Sequence, residues 1–190
     1  MAEQHPHQVA KMQTFYDQWW DELEPTFAET TELHVGHKNH PVVSLTSHDW
    51  IGGPTPWNQG HNRSRYPLKK GKSAKHEGHW ALKVLKTGTY QIEVRRWPAE
   101  SGKAINEELV AGEEVPGESK AFRAQVGQAI GAKSATLRLN GKDLETKIVS
   151  EGAKKIVFET ELTKGKYELS PFFHVPEGEL GCYYAIITSK

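Results

Sequence analysis

The pattern of hydrophobic positions changes once along the chain, from a helical period near the N-terminus to the two-residue period of β-strands. Between residues 2 and 24, large apolar side chains recur at three- and four-residue steps: Val9, Met12, Tyr16, Trp19, Trp20 and Leu23. This spacing predicts an amphipathic helix, which Pro25 ends. Because the stripe is too apolar to face water, we expect the helix to pack on a partner surface.

The rest of the chain has the pattern of a β domain. Residues 25–41 lack a clear period and predict an irregular connection followed by an edge strand. From Pro41 onward, about eight short alternating segments are separated by turn residues, as is typical of a sandwich. We therefore predict a mainly β chain, an antiparallel jelly-roll-like β-sandwich preceded by one N-terminal amphipathic α-helix. The predicted units are residues 1–24 and residues 25–190.

Three segments predict specific strand arrangements. Alternation over 80–84 and 90–94, with a Gly-containing turn at 86–88, predicts a hairpin. The Asn-Gly pair at 140–141 predicts a second hairpin with a type I′ turn, since both turn residues need positive φ. The segment 181–188 is apolar on both faces, so we predict a central strand there.

Composition and charge exclude some partners. The chain has 190 residues, with 24 Lys plus Arg and 24 Asp plus Glu, giving a formal net charge of zero. This balance argues against nucleic acid or an anionic membrane held by bulk electrostatics. No apolar stretch approaches the roughly 18 residues that cross a bilayer. The segment 1–6 does not resemble a secretory signal, and we expect the natural protein to begin upstream of it.

One short stretch is rich in groups suited to ligand binding. It combines two Trp rings with a His, a carboxylate and two amides, namely His48, Asp49, Trp50, Trp57, Asn58 and Gln59. Aromatic faces beside polar groups suit sugars or an interdomain contact. Asp49 with Asn58 also suits a hard cation such as calcium. Alternatively, the two Trp rings fill the core at a strand end and Asp49 caps a turn.

Basic side chains offer two further anion-binding candidates. The loop 63–75 contains Arg63, Arg65, Lys69, Lys70, Lys72 and Lys75. Guanidinium groups match sulfate and carboxylate geometry, so the loop suits an acidic glycan, although the pattern favours a solvated mobile loop. The run 95–97, Arg-Arg-Trp at a strand end, either binds an anion or forms the polar face of the strand.

The remaining chemical groups do not predict catalysis. The spacing of His34, His37 and His40 would align them on a helix, but Gly36, Asn39 and Pro41 argue for a surface loop rather than a metal site. Cys182 has no Cys partner and predicts a buried, inert thiol. The chain contains no Gly-rich phosphate loop, Gly-x-Ser-x-Gly elbow or His-Glu-x-x-His motif. We therefore predict no catalytic residue and no metal ligand.

Several stretches, in order along nearly the whole chain, resemble the C-terminal region of bacterial arylsulfatases of the alkaline-phosphatase-like superfamily. They include Glu3-Gln4-His5-Pro6, Tyr16-Asp17-Gln18-Trp19-Trp20, Leu45-Thr46-Ser47-His48-Asp49-Trp50, Pro56-Trp57-Asn58-Gln59, Gly78-His79-Trp80-Ala81, Tyr90 to Pro98 and Gly181-Cys182-Tyr183-Tyr184. In that family a formylglycine, made within Cys/Ser-x-Pro-x-Arg, acts beside a calcium ion. This chain lacks the motif, because Tyr-Tyr-Ala-Ile follows Cys182.

The resemblance implies a non-catalytic accessory domain of an arylsulfatase, inactive alone and without a cofactor of its own. Tyr16, Trp19 and Trp20 would contact the catalytic domain of the same polypeptide, and the segment 48–59 would shape substrate specificity. The parent would be periplasmic or secreted. The alternative is a carbohydrate-binding module for sulfated glycans, with Trp50, Trp57 or Trp97 as stacking platforms. The missing motifs disfavour a third hypothesis, an independent enzyme.

Overall fold

A computed structural model of the chain describes residues 2–69, 71–114, 116–117 and 124–190. These residues belong to two compact units, which divide between Thr31 and Glu32. No helix in the described ranges is both long and apolar enough to span a membrane.

The first unit consists of helix α1, Pro6–Leu23, between two 3-10 turns at Ala2–Gln4 and Glu24–Thr26. Pro6 occupies the first helical position, where its missing N–H leaves no hydrogen bond unmade. The predicted helix is therefore confirmed. None of its residues is buried, and Phe15 is 72% exposed.

The second unit contains the strands β1 (Leu33–Val35), β2 (Val42–Thr46), β3 (Trp80–Val84), β4 (Gly88–Arg95), β5 (Ser134–Leu139), β6 (Lys142–Ile148), β7 (Ile156–Leu162), β8 (Gly165–Leu169), β9 (Phe172–Val175), β10 (Gly178–Gly181) and β11 (Tyr184–Ser189). It also contains a short helix α2, Gln59–Arg63, and 3-10 turns at Ser47–Asp49 and Ala99–Ser101. One sheet has the order β1-β3-β8-β5-β9-β10, with β6 also paired to β5, and the other has the order β2-β11-β4-β7. The pairs are antiparallel except β1 with β3.

The two sheets share one hydrophobic core. Alternate residues of each strand are buried, for example Leu82 and Val84 of β3 and Ile92 and Val94 of β4. This period of two gives each sheet one apolar face, and the two faces pack together. The predicted jelly-roll-like β-sandwich is confirmed.

The strand predictions had mixed outcomes. The second hairpin is confirmed, since β5 pairs with β6 and the turn residues Asn140 and Gly141 have φ of 48° and 73°. Strand β11 lies between β2 and β4, so it is central as predicted. The hairpin of β3 with β4 was wrong, because β3 pairs with β1 and β8 whereas β4 pairs with β11 and β7. The connection after β3 crosses to the other sheet.

Candidate functional site

Trp50 lies in the core where β2 ends. Its side chain is 7% exposed, and its ring centroid lies 4.7 Å from that of His76, 5.8 Å from Trp80 and 5.9 Å from Tyr183. A Cβ on Gly181 would lie 2.5 Å from the Trp50 ring and 2.3 Å from the His76 ring. We call Trp50, His76, Trp80 and Tyr183 the Trp50 cluster. It is packed so closely that only glycine fits beside it.

Burial controls the ionisation of the Trp50 cluster. Desolvation lowers the pKa of His76 to about 4; Glu179 opposes this shift, while the charges of Arg138 and His79 add to it. The backbone N–H of His76 donates to Glu179 Oε2 at 3.0 Å. His76 Nε2 and Trp50 Nε1 are buried without a hydrogen-bond partner. The imidazole is therefore neutral at neutral pH.

The polar neighbours of Trp50 and Trp57 have local structural contacts. His48 and Asp49 are exposed on the 3-10 turn, and Thr46 Oγ1 donates to Asp49 Oδ2 at 3.3 Å. Asn58 caps α2, because its Oδ1 accepts from the His61 N–H at 3.0 Å. Both contacts are the turn and cap bonds typical of these residue types.

Trp57 and Gln59 are exposed to solvent, whereas Trp50 is buried. Trp57 is 75% exposed, and its backbone N–H donates to His61 Nδ1 at 3.1 Å. The His61 ring stacks on Tyr66 with 4.2 Å between centroids. Gln59, also exposed, lies at the start of α2 and lines a groove. The structure thus splits the six predicted residues between the core, the open surface and this groove.

The groove has a volume of about 550 Å³ and is formed by four separate segments. We call it the Trp97 groove. Its lining consists of Gln59, Asn62 and Arg63 from α2, Trp97, Pro98 and Ser101 after β4, the loop 109–112, and Tyr184 of β11. This volume is in the usual range for small-molecule sites.

The polar groups of the Trp97 groove are held in place. Asn62 Nδ2 donates to Tyr184 Oη at 3.3 Å, and the Trp97 indole N–H donates to the Glu107 carbonyl at 2.9 Å. Burial raises the pKa of Tyr184, and the charge of Glu100 adds to this shift. The Tyr184 hydroxyl therefore stays protonated and can donate. Ser101 Oγ donates to the Pro98 carbonyl at 2.7 Å and accepts from the Lys103 N–H at 3.3 Å, which leaves one lone pair able to accept.

Arg96 lies behind the Trp97 groove and is completely buried. Its guanidinium carbon lies 4.0 Å from the Trp97 ring centroid and 4.5 Å from that of Tyr183, and its Nη2 donates to the Asn62 carbonyl. Arg96 Nε and Nη1 have no hydrogen-bond partner. Burial lowers its pKa to about 10, so it remains charged at neutral pH. Arg96 thus does not belong to the polar face of β4.

The basic side chains of the loop 63–75 do not form one common surface patch, because they have different partners and different exposure. Arg63 Nη1 donates to the carbonyls of Val110 and Gln125 at 3.0 and 2.8 Å, and Arg65 pairs with Glu177 at 2.7 Å. The side chains of Lys69, Lys72 and Lys75 are exposed, and Lys70 lies outside the described residues. Arg63 is the basic residue of this loop that lines the groove.

The described residues give no support to metal or formylglycine chemistry. The part of the chain that the structure describes contains no group of three or more His, Cys, Asp or Glu side chains that could hold a metal ion. His37 and His40 pair through an isolated bridge, with 5.9 Å between ring centroids. Cys182 is fully buried, which raises the pKa of its thiol. Its neighbours do not fit the Cys/Ser-x-Pro-x-Arg motif.

Comparisons with known proteins found likeness in three-dimensional structure. No family profile and no curated protein matches the sequence. A CBM35 from Cellvibrio japonicus Abf62 is 12% identical, with a TM-score of 0.43 over 78% of this chain and 93% of that chain. A Podospora anserina GH26-CBM35 β-(1,4)-mannanase is 10% identical, with a TM-score of 0.41 over 79% of this chain and 28% of that chain.

A third structure, protein YXIM of Bacillus subtilis, is 11% identical, with a TM-score of 0.31 over 60% of this chain. The present chain spans 22% of that protein. Likeness at these identities and TM-scores assigns no function.

Proposed function

We propose that this chain is a carbohydrate-recognition domain whose ligand binds in the Trp97 groove. The observation that carries the proposal is the composition of the groove. It combines the half-buried ring of Tyr184 and the small exposed part of Trp97, which is 3% exposed, with the amides of Gln59 and Asn62 in a concave site of about 550 Å³.

This composition matches the two surfaces of a sugar. The C–H faces of a pyranose pack on aromatic rings, while its hydroxyls need donors and acceptors at the edge of the ring. Gln59 is exposed and supplies both a donor and an acceptor. The protonated hydroxyl of Tyr184 and the remaining lone pair of Ser101 supply one further donor and one further acceptor.

Trp57 extends the proposed site along the surface. Its indole is exposed, and it precedes Gln59 by two residues. Exposed tryptophans are costly in water, and an outward indole two residues from a groove-lining glutamine is suited to stack on a second sugar unit. In this proposal the segment 57–59 contributes to recognition, whereas Trp50 has a purely structural role.

A glycan array probed with the intact chain tests the proposal, followed by calorimetric titration of the best oligosaccharide. We expect Gln59→Ala to weaken binding about fivefold through loss of hydrogen bonds. Gln18→Ala is the matched control, because Gln18 is an exposed glutamine on α1. Absence of binding to every saccharide, or an equal loss in both variants, would contradict the proposal.

A second candidate is the accessory domain of an arylsulfatase, and the exposed apolar side chains of α1 favour it. Met12, Phe15, Tyr16, Trp19 and Trp20 are between 39% and 72% exposed. Such a face is stable in water only when another surface covers it. The partner would be the catalytic domain of the same polypeptide, which would hold the formylglycine and calcium, in a periplasmic or secreted protein.

The genomic sequence around the gene tests this second candidate. We expect an upstream continuation that encodes a domain with a Cys/Ser-x-Pro-x-Arg motif. An upstream reading frame that ends in an unrelated protein would overturn the accessory-domain proposal. Carbohydrate recognition in the Trp97 groove would be unaffected by that result, since it does not depend on the neighbouring domain.

A further inference from the structure

Among the described residues, those that line the Trp97 groove carry positive charge only, while the carboxylate of Glu100 acts on Tyr184 from outside the lining. Arg63 is the charged residue among those that line it in the described part of the chain, and no acidic side chain is among them. Arg96 adds a second positive charge behind the Trp97 ring and the Asn62 carbonyl. A groove with this surround favours ligands that carry negative charge.

Arg63 is oriented but not neutralised. Its Nη1 bonds to two backbone carbonyls, of Val110 and Gln125, which fix the guanidinium plane without supplying a counter-charge. Within the described ranges, no carboxylate forms an ion pair with Arg63. Among the described residues, its Nε and Nη2 have no hydrogen-bond acceptor, and a planar guanidinium binds carboxylate or sulfate oxygens with two parallel bonds.

Arg96 is the independent second observation. A completely buried guanidinium with two unpaired nitrogens is unusual, because buried charges are normally paired. The rings of Trp97 and Tyr183 stabilise it by cation–π contact but do not cancel its charge. Its field is poorly screened by solvent and therefore reaches the groove through the wall formed by Trp97 and Asn62.

We infer that the Trp97 groove selects anionic saccharides, with a carboxylate or sulfate group bound by Arg63 and favoured by the buried charge of Arg96. This inference rests on the proposed carbohydrate recognition and names its ligand class. The shared chemistry is an oxyanion on a sugar ring. A uronic acid and a sulfate ester both present it, and the experiment separates these two sources.

The test is calorimetric titration of the intact chain with two matched pairs of ligands. One pair is tetragalacturonate and its methyl ester, and the other is a sulfated galactan tetrasaccharide and its desulfated form. We expect the anionic member of at least one pair to bind about tenfold more tightly, and the preference to shrink as NaCl rises from 50 to 500 mM. The preferred pair identifies the anion.

Variants then assign the preference to Arg63. Arg63→Gln should remove most of the preference for the anionic member, with a small remainder from Arg96, whereas a purely structural role of Arg63 would weaken both members equally. Lys164→Gln is the control. Lys164 is exposed and follows β7, whose last residue pairs with the first residue of β4. Arg96 follows the opposite end of β4, so Lys164 lies away from it. Equal affinity within both pairs would overturn this inference and leave carbohydrate recognition standing. No binding by any of the four ligands would also overturn this inference, whereas carbohydrate recognition is decided by the glycan array.

Discussion

The Trp50 cluster and the Trp97 groove use similar residue types for opposite purposes. Each places tryptophan and tyrosine beside polar side chains, and each involves consecutive residues of the same segment, since Tyr183 packs on Trp50 while Tyr184 lines the groove. In the Trp50 cluster the rings are packed against one another and glycines permit the close approach. In the groove Trp97 is also buried, at 3% exposed, but it lies in the wall of a space of about 550 Å³ together with the half-buried Tyr184.

The pairing of aromatic and polar residues therefore does not by itself identify a binding site. What distinguishes the groove is that its polar groups retain unused donors or acceptors next to accessible space. The polar atoms of Trp50 and His76 are also unpaired, but they are sealed in the core. We therefore assign a role in stability to the Trp50 cluster and a role in ligand recognition to the Trp97 groove. Each role can be tested separately.

The largest effect is expected from Trp50→Ala. Removing a large buried ring from a packed core costs about 3–5 kcal/mol of the free energy of unfolding. Trp57→Ala should change it by no more than about 0.5 kcal/mol, because Trp57 is exposed. Urea unfolding of both variants measures the contrast. Similar losses in the two variants would remove the distinction between the regions.

Acidification should destabilise the Trp50 cluster. The pKa of His76 is about 4 in the folded protein and about 6.5 when unfolded, so the unfolded chain binds more protons between these values. The stabilisation is complete above pH 6.5 and is lost as the pH falls towards 4, by up to about 3 kcal/mol. Unfolding at pH 7 and pH 5 measures this loss. His76→Gln should flatten the profile and His48→Asn should not, so unchanged slopes in both would contradict the account.

Gly181→Ala should lower the free energy of unfolding by about 1–3 kcal/mol, less than Trp50→Ala, because the added methyl group overpacks the Trp50 cluster. The new Cβ would lie 2.3 Å from the His76 ring and 2.5 Å from the Trp50 ring, and both rings are buried. Gly88→Ala is the matched control, since a Cβ there meets nothing within 4 Å. Thermal unfolding compares the two. If Gly181→Ala unfolds at the wild-type temperature, the cluster is looser than described.

The smallest expected effect is a change of saccharide affinity in the Trp97 groove. Tyr184→Phe keeps the ring and removes one hydroxyl, so it should weaken saccharide binding by about 1 kcal/mol, roughly fivefold, with little change in stability. Tyr167→Phe is a suitable control, because the Tyr167 hydroxyl bonds to Thr163 at a distant strand turn. Calorimetric titration measures both. Equal affinities for the two variants would exclude the Tyr184 hydroxyl from recognition.

The sequence predicted the local structure of the fold better than its long-range pairing. The Asn-Gly turn at 140–141 was predicted correctly, because positive φ at two successive positions is a local requirement. The pairing partners of β3 and β4 were predicted wrongly. Alternation reports that one face of a strand is buried, but it is the same whether the chain turns back within a sheet or crosses to the other sheet.

The candidate site was predictable only in part. Gln59, Arg63 and Trp97 had been singled out, but Asn62, Ser101 and Tyr184 had not, because the groove joins segments up to about 120 residues apart and no local pattern connects them. The sequence also did not show which side chains are buried. Arg96 in an Arg-Arg-Trp run resembles a surface residue, and only the structure places it in the core.

Nuclear magnetic resonance of the labelled chain, titrated with the best-binding oligosaccharide, tests recognition in the groove most directly. The indole N–H of Trp97 and the side-chain amides of Gln59 and Asn62 should shift with ligand. The indole N–H of Trp50 should not, since Trp50 belongs to the Trp50 cluster and does not line the groove. Saturable shifts confined to the groove are the predicted result. Shifts centred on Trp50, or none in the groove at saturation, would contradict the account.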